Sequence, residues 1–356
     1  MADQYIDFSP LTLNPEEARS GADLIFAAFR VAPEIVQTHT IMTGVRMQKY
    51  IPILGQRSLV GKVDPGSCGN NDIDPGTTVS QKMWDPKTIS GKLADCQDNI
   101  EPNMKFWLNS DKKIEYRESI NNEYQNYVMD NVMSVMKESV LRIADFGDTT
   151  EDTVANGKHL TNGTDKTYFN ILNGIWPQIF ADQAGPKLSY RYTITENSVG
   201  TYAAQQALAA DTALQCLRNM YNNIDSRAFK GKSLVFQMTR SLFNNWSDFM
   251  EDKSLVFMLD RTETGATKFT YRGIPIVIRY DWDDTIRTYY DNGTTFYIPH
   301  RAWLTDLNNI PIGTLDTESL SALKSWYSND LETHFIKFAY SIDCKLLLEY
   351  ALASAY

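Results

Sequence analysis

The chain has 356 residues, 43% of them hydrophobic and 12% aromatic, and carries a formal charge of -10. That apolar content can build one large core or two smaller ones, which excludes a disordered chain. The acidic balance repels phosphate backbones and argues against a sequence-reading nucleic-acid binder, although such a chain can enclose nucleic acid without gripping it.

The sequence opens MADQYIDFSP, with two acids and no apolar run, so no secretory leader is expected. No apolar stretch reaches the roughly 20 residues of a membrane span, and none is expected. The four cysteines (Cys68, Cys96, Cys216, Cys344) form no C-x-x-C pair and are too sparse for a disulfide framework. They are expected as free thiols in a reducing compartment, where the N-x-S/T sites at Asn162, Asn245 and Asn292 have no role.

Residues 1–45 begin as an extended segment punctuated by Pro10 and Pro15. PEEARSGADLIFAAFR then predicts a short helix, with acids in its first turn and Leu24, Ile25, Ala28 and Phe29 on one side. After Pro33 the text turns β-like. In residues 46–100, KYIPILGQRSLVGKV and TTVSQKMWDPKTISGKLADCQ flank DPGSCGNNDIDPG, a cluster that demands a turn. Two long arms around a polar tip make a β-hairpin that cannot bury itself. An ordinary meander within the core is the alternative.

YRESINNEYQNYVMDNVMSVMKESVLRIADF, residues 116–146, is the clearest helix. Ile120, Tyr124, Tyr127, Val128, Val132, Val135, Met136, Val140 and Ile143 recur with a helical period, and Gly147 follows as a stop. Asn121, Asn122, Gln125, Asp130, Lys137 and Glu138 make the polar face, and the methionines at 129, 133 and 136 read as packing. Such a helix is roughly 45 Å long, well above the usual length. Residues 148–167 are a polar loop and a candidate boundary. Beyond it come TYFNILNGIWPQIFAD, a helix checked by Pro177, and a second helix with Leu208, Ala209, Ala213, Cys216, Leu217 and Met220 in register. KSLVFQM, a buried strand, and TRSLFNNWSDFMED, a third helix, follow. Phe269 to Thr314 reads as strand, loop, strand, and THFIKFAYSIDCKLLLEYALASAY as a further strand with a short apolar tail. There is no internal repeat. The fold class is α+β.

Candidate chemistry is sparse. Asp281, Asp283 and Asp284 in YDWDDT could hold a hard cation, but they lack a glycine-spaced calcium loop and read as a solvated turn at a strand end. His39, His159, His300 and His334 are scattered without H-x-x-x-H or H-E-x-x-H. No G-x-S-x-G, P-loop or G-x-G-x-x-G occurs. Cys96 or Cys216 could serve as a nucleophile, but each sits in an apolar pattern and reads as a small hydrophobe. No catalytic, cofactor-binding or metal residue is assigned, no cofactor is expected, and basic clusters interleaved with aromatics are missing. Arms and hairpins that cannot bury their own surfaces imply neighbours, so the reading by elimination is a structural protein that assembles.

That order of elements resembles the HK97-like fold of tailed-phage major capsid proteins. Residues 1–45 resemble the N-terminal arm, Lys49–Gln97 the extended hairpin called the E-loop, Glu115–Phe146 the spine helix of the peripheral domain, and Tyr168–Thr314 the axial domain. Y-R-G-I-P-I-V at Tyr271–Val277 is similar to a run in these proteins where a glycine turn precedes a buried strand. TFYIPHRAWLTDLNNIPIGT is similar to their segment in which a strand yields to a threonine, an asparagine and a glycine. The implied division is arm 1–45, hairpin 46–100, peripheral domain with spine helix 101–167, axial domain 168–317 and return to the peripheral domain 318–356.

The resemblance implies a major capsid protein, not an enzyme, assembling with itself into hexamers and pentamers of an icosahedral shell around double-stranded DNA. It implies a procapsid that matures by expansion, portal, scaffolding and decoration proteins as partners, assembly in a host cytoplasm and residence in the virion. A charged scaffolding helix, which many relatives carry ahead of the arm, is missing from this text. Some relatives crosslink a hairpin lysine to a neighbour's asparagine; Lys62, Lys82, Lys87 and Lys92 lie on the hairpin, but the crosslink is not carried over. The alternatives are an encapsulin-type compartment shell, a tail-tube, baseplate or decoration component, and a metal-dependent hydrolase built on Asp281, Asp283, Asp284 and His300.

Overall fold

The computed structural model describes residues 35–45, 49–54, 79–96, 122–230, 234–253, 259–261, 267–315, 323–328, 330–331 and 333–356. The Pro15–Arg30 helix and the turn at the hairpin tip fall outside these residues.

In chain order, a single helical turn α1 (Ile35–Thr38) leads to β1 (Ile41–Met42). β2 (Lys49–Leu54) pairs antiparallel with β3 (Val79–Trp84), which is the base of the expected hairpin. The returning arm is not one strand. It breaks at Asp85–Pro86, and β4 (Lys87–Cys96) resumes in a different sheet. The long helix α2 runs Asn122–Phe146 and stops before Gly147, as its pattern predicts. α3 (Ile175–Ala184) holds Pro177 in its first turn, where a missing N–H leaves no bond unmade, so the proline does not check the helix. β5 (Tyr190–Tyr192), α4 (Tyr202–Gln206), α5 (Thr212–Asn223), β6 (Leu234–Met238) and α6 (Arg240–Asp252) follow.

β7 (Leu259–Arg261), β8 (Thr267–Tyr271) and β9 (Ile274–Ile278) come next. The β8–β9 turn is Arg272-Gly273, with φ of 51° and 80°. Two positive φ values make a two-residue hairpin turn, which is what the glycine of Y-R-G-I-P-I-V supplies. α7 (Tyr280–Tyr289) stands where the sequence pattern predicts a loop, and corrects that expectation. Trp282, Thr285 and Ile286 are its buried face, Asp281 and Asp283 stand in its first turn and Arg287 in its last. The dense aromatics around it hid that spacing. β10 (Ala302–Asp306), β11 (Ile312–Thr314), β12 (Leu323–Ser328) and β13 (Thr333–Cys344) precede β14 (Leu352–Ala355).

Two sheets organise these strands. One runs β1-β11-β13-β12 with β4 on the other edge of β13, and Thr333–Ile342 pairs antiparallel with Lys87–Cys96 throughout. The second has seven strands in the order β5-β14-β10-β6-β9-β8-β7. The chain end, read as an apolar tail, is therefore an inner strand of the second sheet, antiparallel to β10 and parallel to β5. Its small residues explain the choice. Ala353 and Ala355 are fully buried and join the core that α5 and α6 close.

Side chains alternate across the seven-stranded sheet, as strand geometry requires. Ala302 and Leu304 face α5 and α6, while Trp303 faces the core shared by α2, α3, α7 and β13. A hydrophobic core thus lies on each face, and most of the sheet's inner strands are inaccessible to water.

Candidate functional site

The residues with the strongest electrostatic demand meet where three parts of the chain converge. Asp145 sits in the last turn of α2 and is fully buried. Its Oδ2 accepts hydrogen bonds from Arg279 Nη2 and, at 2.8 Å, from Trp282 Nε1; its Oδ1 lies 3.2 Å from His39 Nε2. Arg279 closes β9 and caps the start of α7, also fully buried. It donates through Nε and Nη2 to both oxygens of Asp281, at 2.9 and 2.6 Å, and through Nη1 to Gln237 Oε1 at 2.6 Å. Gln237, on β6, donates in turn to Thr38 O at 2.7 Å.

Burial by itself would raise the Asp145 carboxyl, but Arg279, His39 and Trp282 outweigh it and hold the group down at about 2. Burial would likewise lower Arg279, and the two carboxylates beside it win and raise it. Both stay charged, with nearly every donor answered, which is the condition under which a buried ion pair is tolerated. The node ties the segment before β1, the end of the long helix and the middle of the seven-stranded sheet into one unit.

Beside it, Trp176, Trp282 and Trp303 pack with ring centroids 4.5 to 5.3 Å apart. Arg301 is buried against them, its guanidinium 5.0 Å from the Phe146 ring and 5.3 Å from Trp176. Burial lowers it to about 10. Its Nε and Nη2 donate to Ile298 O and Tyr297 O at 2.7 and 3.0 Å. These bonds brace Ile298, whose φ of 47° is costly for a β-branched residue.

The hairpin base is anchored through Trp84, Lys82 and Asp85. Trp84 is buried over Gly313, where a Cβ would come within 2.9 Å of the indole, so only glycine fits. Lys82 Nζ donates to Leu346 O and to the Glu349 carboxylate. The Asp85 amide donates to Asp343 Oδ2 at 2.7 Å. On the opposite face of the hairpin Tyr50 and Met83 stand directly across from each other, 60% and 39% exposed. Of the other hairpin lysines, Lys87 pairs with Asp85 at 2.8 Å and Lys92 lies 3.8 Å over the Phe335 ring; Lys62 falls outside the described residues.

The structure gives the three aspartates different partners. Asp281 is held by Arg279; Asp283 accepts the Arg240 amide at 2.7 Å and so caps α6; Asp284 lines a polar cleft of about 730 Å³ between α6 and α7. Burial raises the Asp283 carboxyl to about 6. Among the described residues no group of three or more His, Cys, Asp or Glu side chains could hold a metal ion. The histidines do not converge either. His39 belongs to the buried node and His159 lies 3.3 Å from Glu151 and stacks on Tyr297. His300 reaches the cleft, and His334 is a residue of β13. Cys216 and Cys344 are buried, which raises both thiols; Cys96 ends β4 and Cys68 falls outside the described residues. Asp145, Arg279 and Gln237 were not singled out from sequence. The available signal was one acid on the apolar face at the end of the long helix and one arginine closing an apolar strand.

No family model matches the chain, and no curated protein does. Solved structures do, over almost its whole length. A chain from the structure of Gordonia phage Cozz superposes with a TM-score of 0.53 at 13% identity, covering 97% of this chain and 90% of that one. The capsid of cyanophage P-SCSP1u gives 0.52 at 13%, over 95% and 91%. The chain has the HK97-like capsid fold. An encapsulin shares the likeness: the SrpI encapsulin complex of Synechococcus elongatus gives 0.51 at 9% identity, over 97% and 95%. In this capsid fold the polar node and the hairpin anchors are the features that hold separate segments in register. Among the described residues no helix is long and apolar enough to cross a membrane.

Proposed function

We propose that the chain is the major capsid protein of a tailed phage, which assembles with itself into hexamers and pentamers of an icosahedral shell enclosing double-stranded DNA. The observation that carries this reading is the end-to-end likeness to capsid chains, with 90% or more of both chains covered. The proposed division follows the resemblance: an arm over residues 1–45, a hairpin over 46–100, a peripheral domain with the spine helix over 101–167 and an axial domain over 168–317. Residues 318–356 begin on the peripheral side, and β14 carries their end into the seven-stranded sheet.

In this reading the exposed Tyr50–Met83 pair on the hairpin packs on a neighbouring subunit, while Trp84 and Lys82 fix the hairpin's root. Portal, scaffolding and decoration proteins are the proposed further partners, assembly takes place in the host cytoplasm, and the shell resides in the virion. The -10 charge supports a lining that does not bind the genome tightly. The likeness to an encapsulin favours one second reading, a compartment shell around protein cargo.

Expression of the protein alone and with candidate scaffolding genes, followed by light scattering and negative-stain electron microscopy, tests assembly. Rings or closed shells are expected. Nuclease-protected DNA inside shells from infected cells is expected of the phage reading, and shells holding only protein cargo would favour the compartment.

A further inference from the structure

β6 and β9 are adjacent and parallel, and the helices that follow them, α6 and α7, pack on opposite faces of the sheet. The strand order therefore opens a crevice at the carboxyl ends of these strands, the place where α/β sheets bind ligands. The 730 Å³ cleft lies there, lined among others by Ser241, Asn244, Tyr280, Arg287 and His300. That volume is within the usual range of small-molecule sites.

Hydrogen-bond direction in this cleft is fixed by its chemistry. His300 Nε2 lies 2.6 Å from Gln205 O, and a carbonyl oxygen can only accept. Nε2 therefore carries the hydrogen. His300 Nδ1 is left with its lone pair, 2.7 Å from Ser241 Oγ, and the serine hydroxyl must donate to it. Thr239 Oγ1 accepts the Arg301 amide at 3.3 Å and stands 3.2 Å from Ser241 Oγ, so its own proton is free to point at the serine oxygen. Asn197 grips the His300 backbone from both sides, accepting from its N–H at 2.9 Å and donating to its carbonyl at 2.8 Å. Ser241 is the second residue of α6. Among the described residues the amide hydrogens of Ser241 and Leu242 have no acceptor, so the first turn offers two donors next to the hydroxyl.

We infer that Ser241 is an activated nucleophile, with His300 as its general base, which takes the acyl group of small polar esters bound in this cleft. This goes beyond the shell reading and does not depend on it. Ser241 Oγ attacks the carbonyl carbon while its proton passes to His300 Nδ1. The two amide hydrogens of the first turn are the donors available to the oxyanion that forms. Collapse breaks the ester C–O bond, and the alcohol leaves with the proton from His300. Water then attacks the acyl carbon, gives a proton to His300 and releases the acid, and the serine regains its hydrogen. Burial lowers the His300 pKa, so the imidazole is neutral and able to accept a proton at neutral pH. The charged groups around it are Glu196, Arg240 and Asp248 on one side and Asp283, Asp284 and Arg287 of α7 on the other.

The test is labelling of the intact protein by a fluorophosphonate, which forms a P–O bond to an activated serine and expels fluoride, with the adduct located by peptide mass spectrometry. One adduct on Ser241 is expected, absent in Ser241→Ala and formed at least tenfold more slowly in His300→Gln. The wild-type rate is expected to be flat from pH 7 to 9 and to fall below pH 6. Should His300→Gln fail to fold, that pH profile decides the matter by itself. Labelling of Ser241 no greater than that of other serines would overturn the proposal. So would a rate that climbs tenfold per pH unit up to pH 9, the behaviour of an unassisted hydroxyl.

Discussion

Replacing Asp145 with Asn tests the buried node directly. The amide keeps the shape of the carboxylate but removes its charge, leaving Arg279 fully buried with Asp281 as its one carboxylate. It also turns an NH2 group toward either Arg279 or His39. Breaking a buried ion pair from one side costs about 3–5 kcal/mol. An independent figure comes from the titration of the carboxyl, which is held at about 2 in place of the usual 3.8. At about 1.36 kcal/mol per pH unit that difference is worth about 2 kcal/mol at neutral pH. A lowered carboxyl pKa stabilises the fold above the unfolded value, and the contribution disappears as pH falls from about 4 to about 2. Asp145→Asn is therefore expected to lose about 2–5 kcal/mol at pH 7, a large part of a typical total of about 5–15 kcal/mol. Urea unfolding of the soluble subunit, followed by the fluorescence of the buried tryptophans, measures it. Adding Arg279→Met is expected to recover part of the loss, because it removes the stranded charge. A loss below about 1 kcal/mol for Asp145→Asn would refute the reasoning.

The other predictions concern single contacts. Burial raises Asp283 to about 6, so the folded state holds its proton more tightly than the unfolded chain and stability falls as pH rises from about 4 to 6. Asp283→Asn, which keeps an oxygen for the Arg240 amide, is expected to raise the melting temperature at pH 7.5 and to lose that advantage at pH 4; a variant less stable at both would contradict this. Gly313→Ala drives a Cβ into the Trp84 ring and is expected to cost about 1–3 kcal/mol, with hydrogen exchange rising in Val79–Trp84. Glu349→Gln removes the charge of a partly exposed partner of Lys82 and is expected to change unfolding free energy by less than about 1 kcal/mol, since pairs open to water are weak.

The long helix and the buried strand at Leu234–Met238 were legible because each rests on one strong periodicity or one apolar run. So was the glycine turn at Arg272-Gly273, where a positive φ demands a particular residue. The hairpin base was legible too, but not that its returning arm changes sheets at Asp85–Pro86. Pairing partners far apart in sequence, such as β4 with β13, leave no local trace in the residues themselves. The same holds for β14: LASA reads as a tail until the close approach of α5 gives its small residues a purpose. α7 was missed because its apolar face is made of Trp282, Thr285 and Ile286, a sparse helical pattern inside a run of β-prone aromatics. The node was illegible for another reason. Asp145, Arg279 and His39 are single residues each more than 100 positions from the others, and only the fold brings Arg279 and His39 within hydrogen-bond distance of Asp145.

The central claim is that this capsid fold makes a shell. Cryo-electron microscopy of particles assembled from the purified protein, or recovered with its scaffolding partners, tests it most directly. The account predicts icosahedral shells whose density accommodates this chain as the repeated subunit, with the seven-stranded sheet near the local symmetry axes and Tyr50 and Met83 against a neighbour. A 40.5 kDa monomer that forms no particle with or without partners would contradict it.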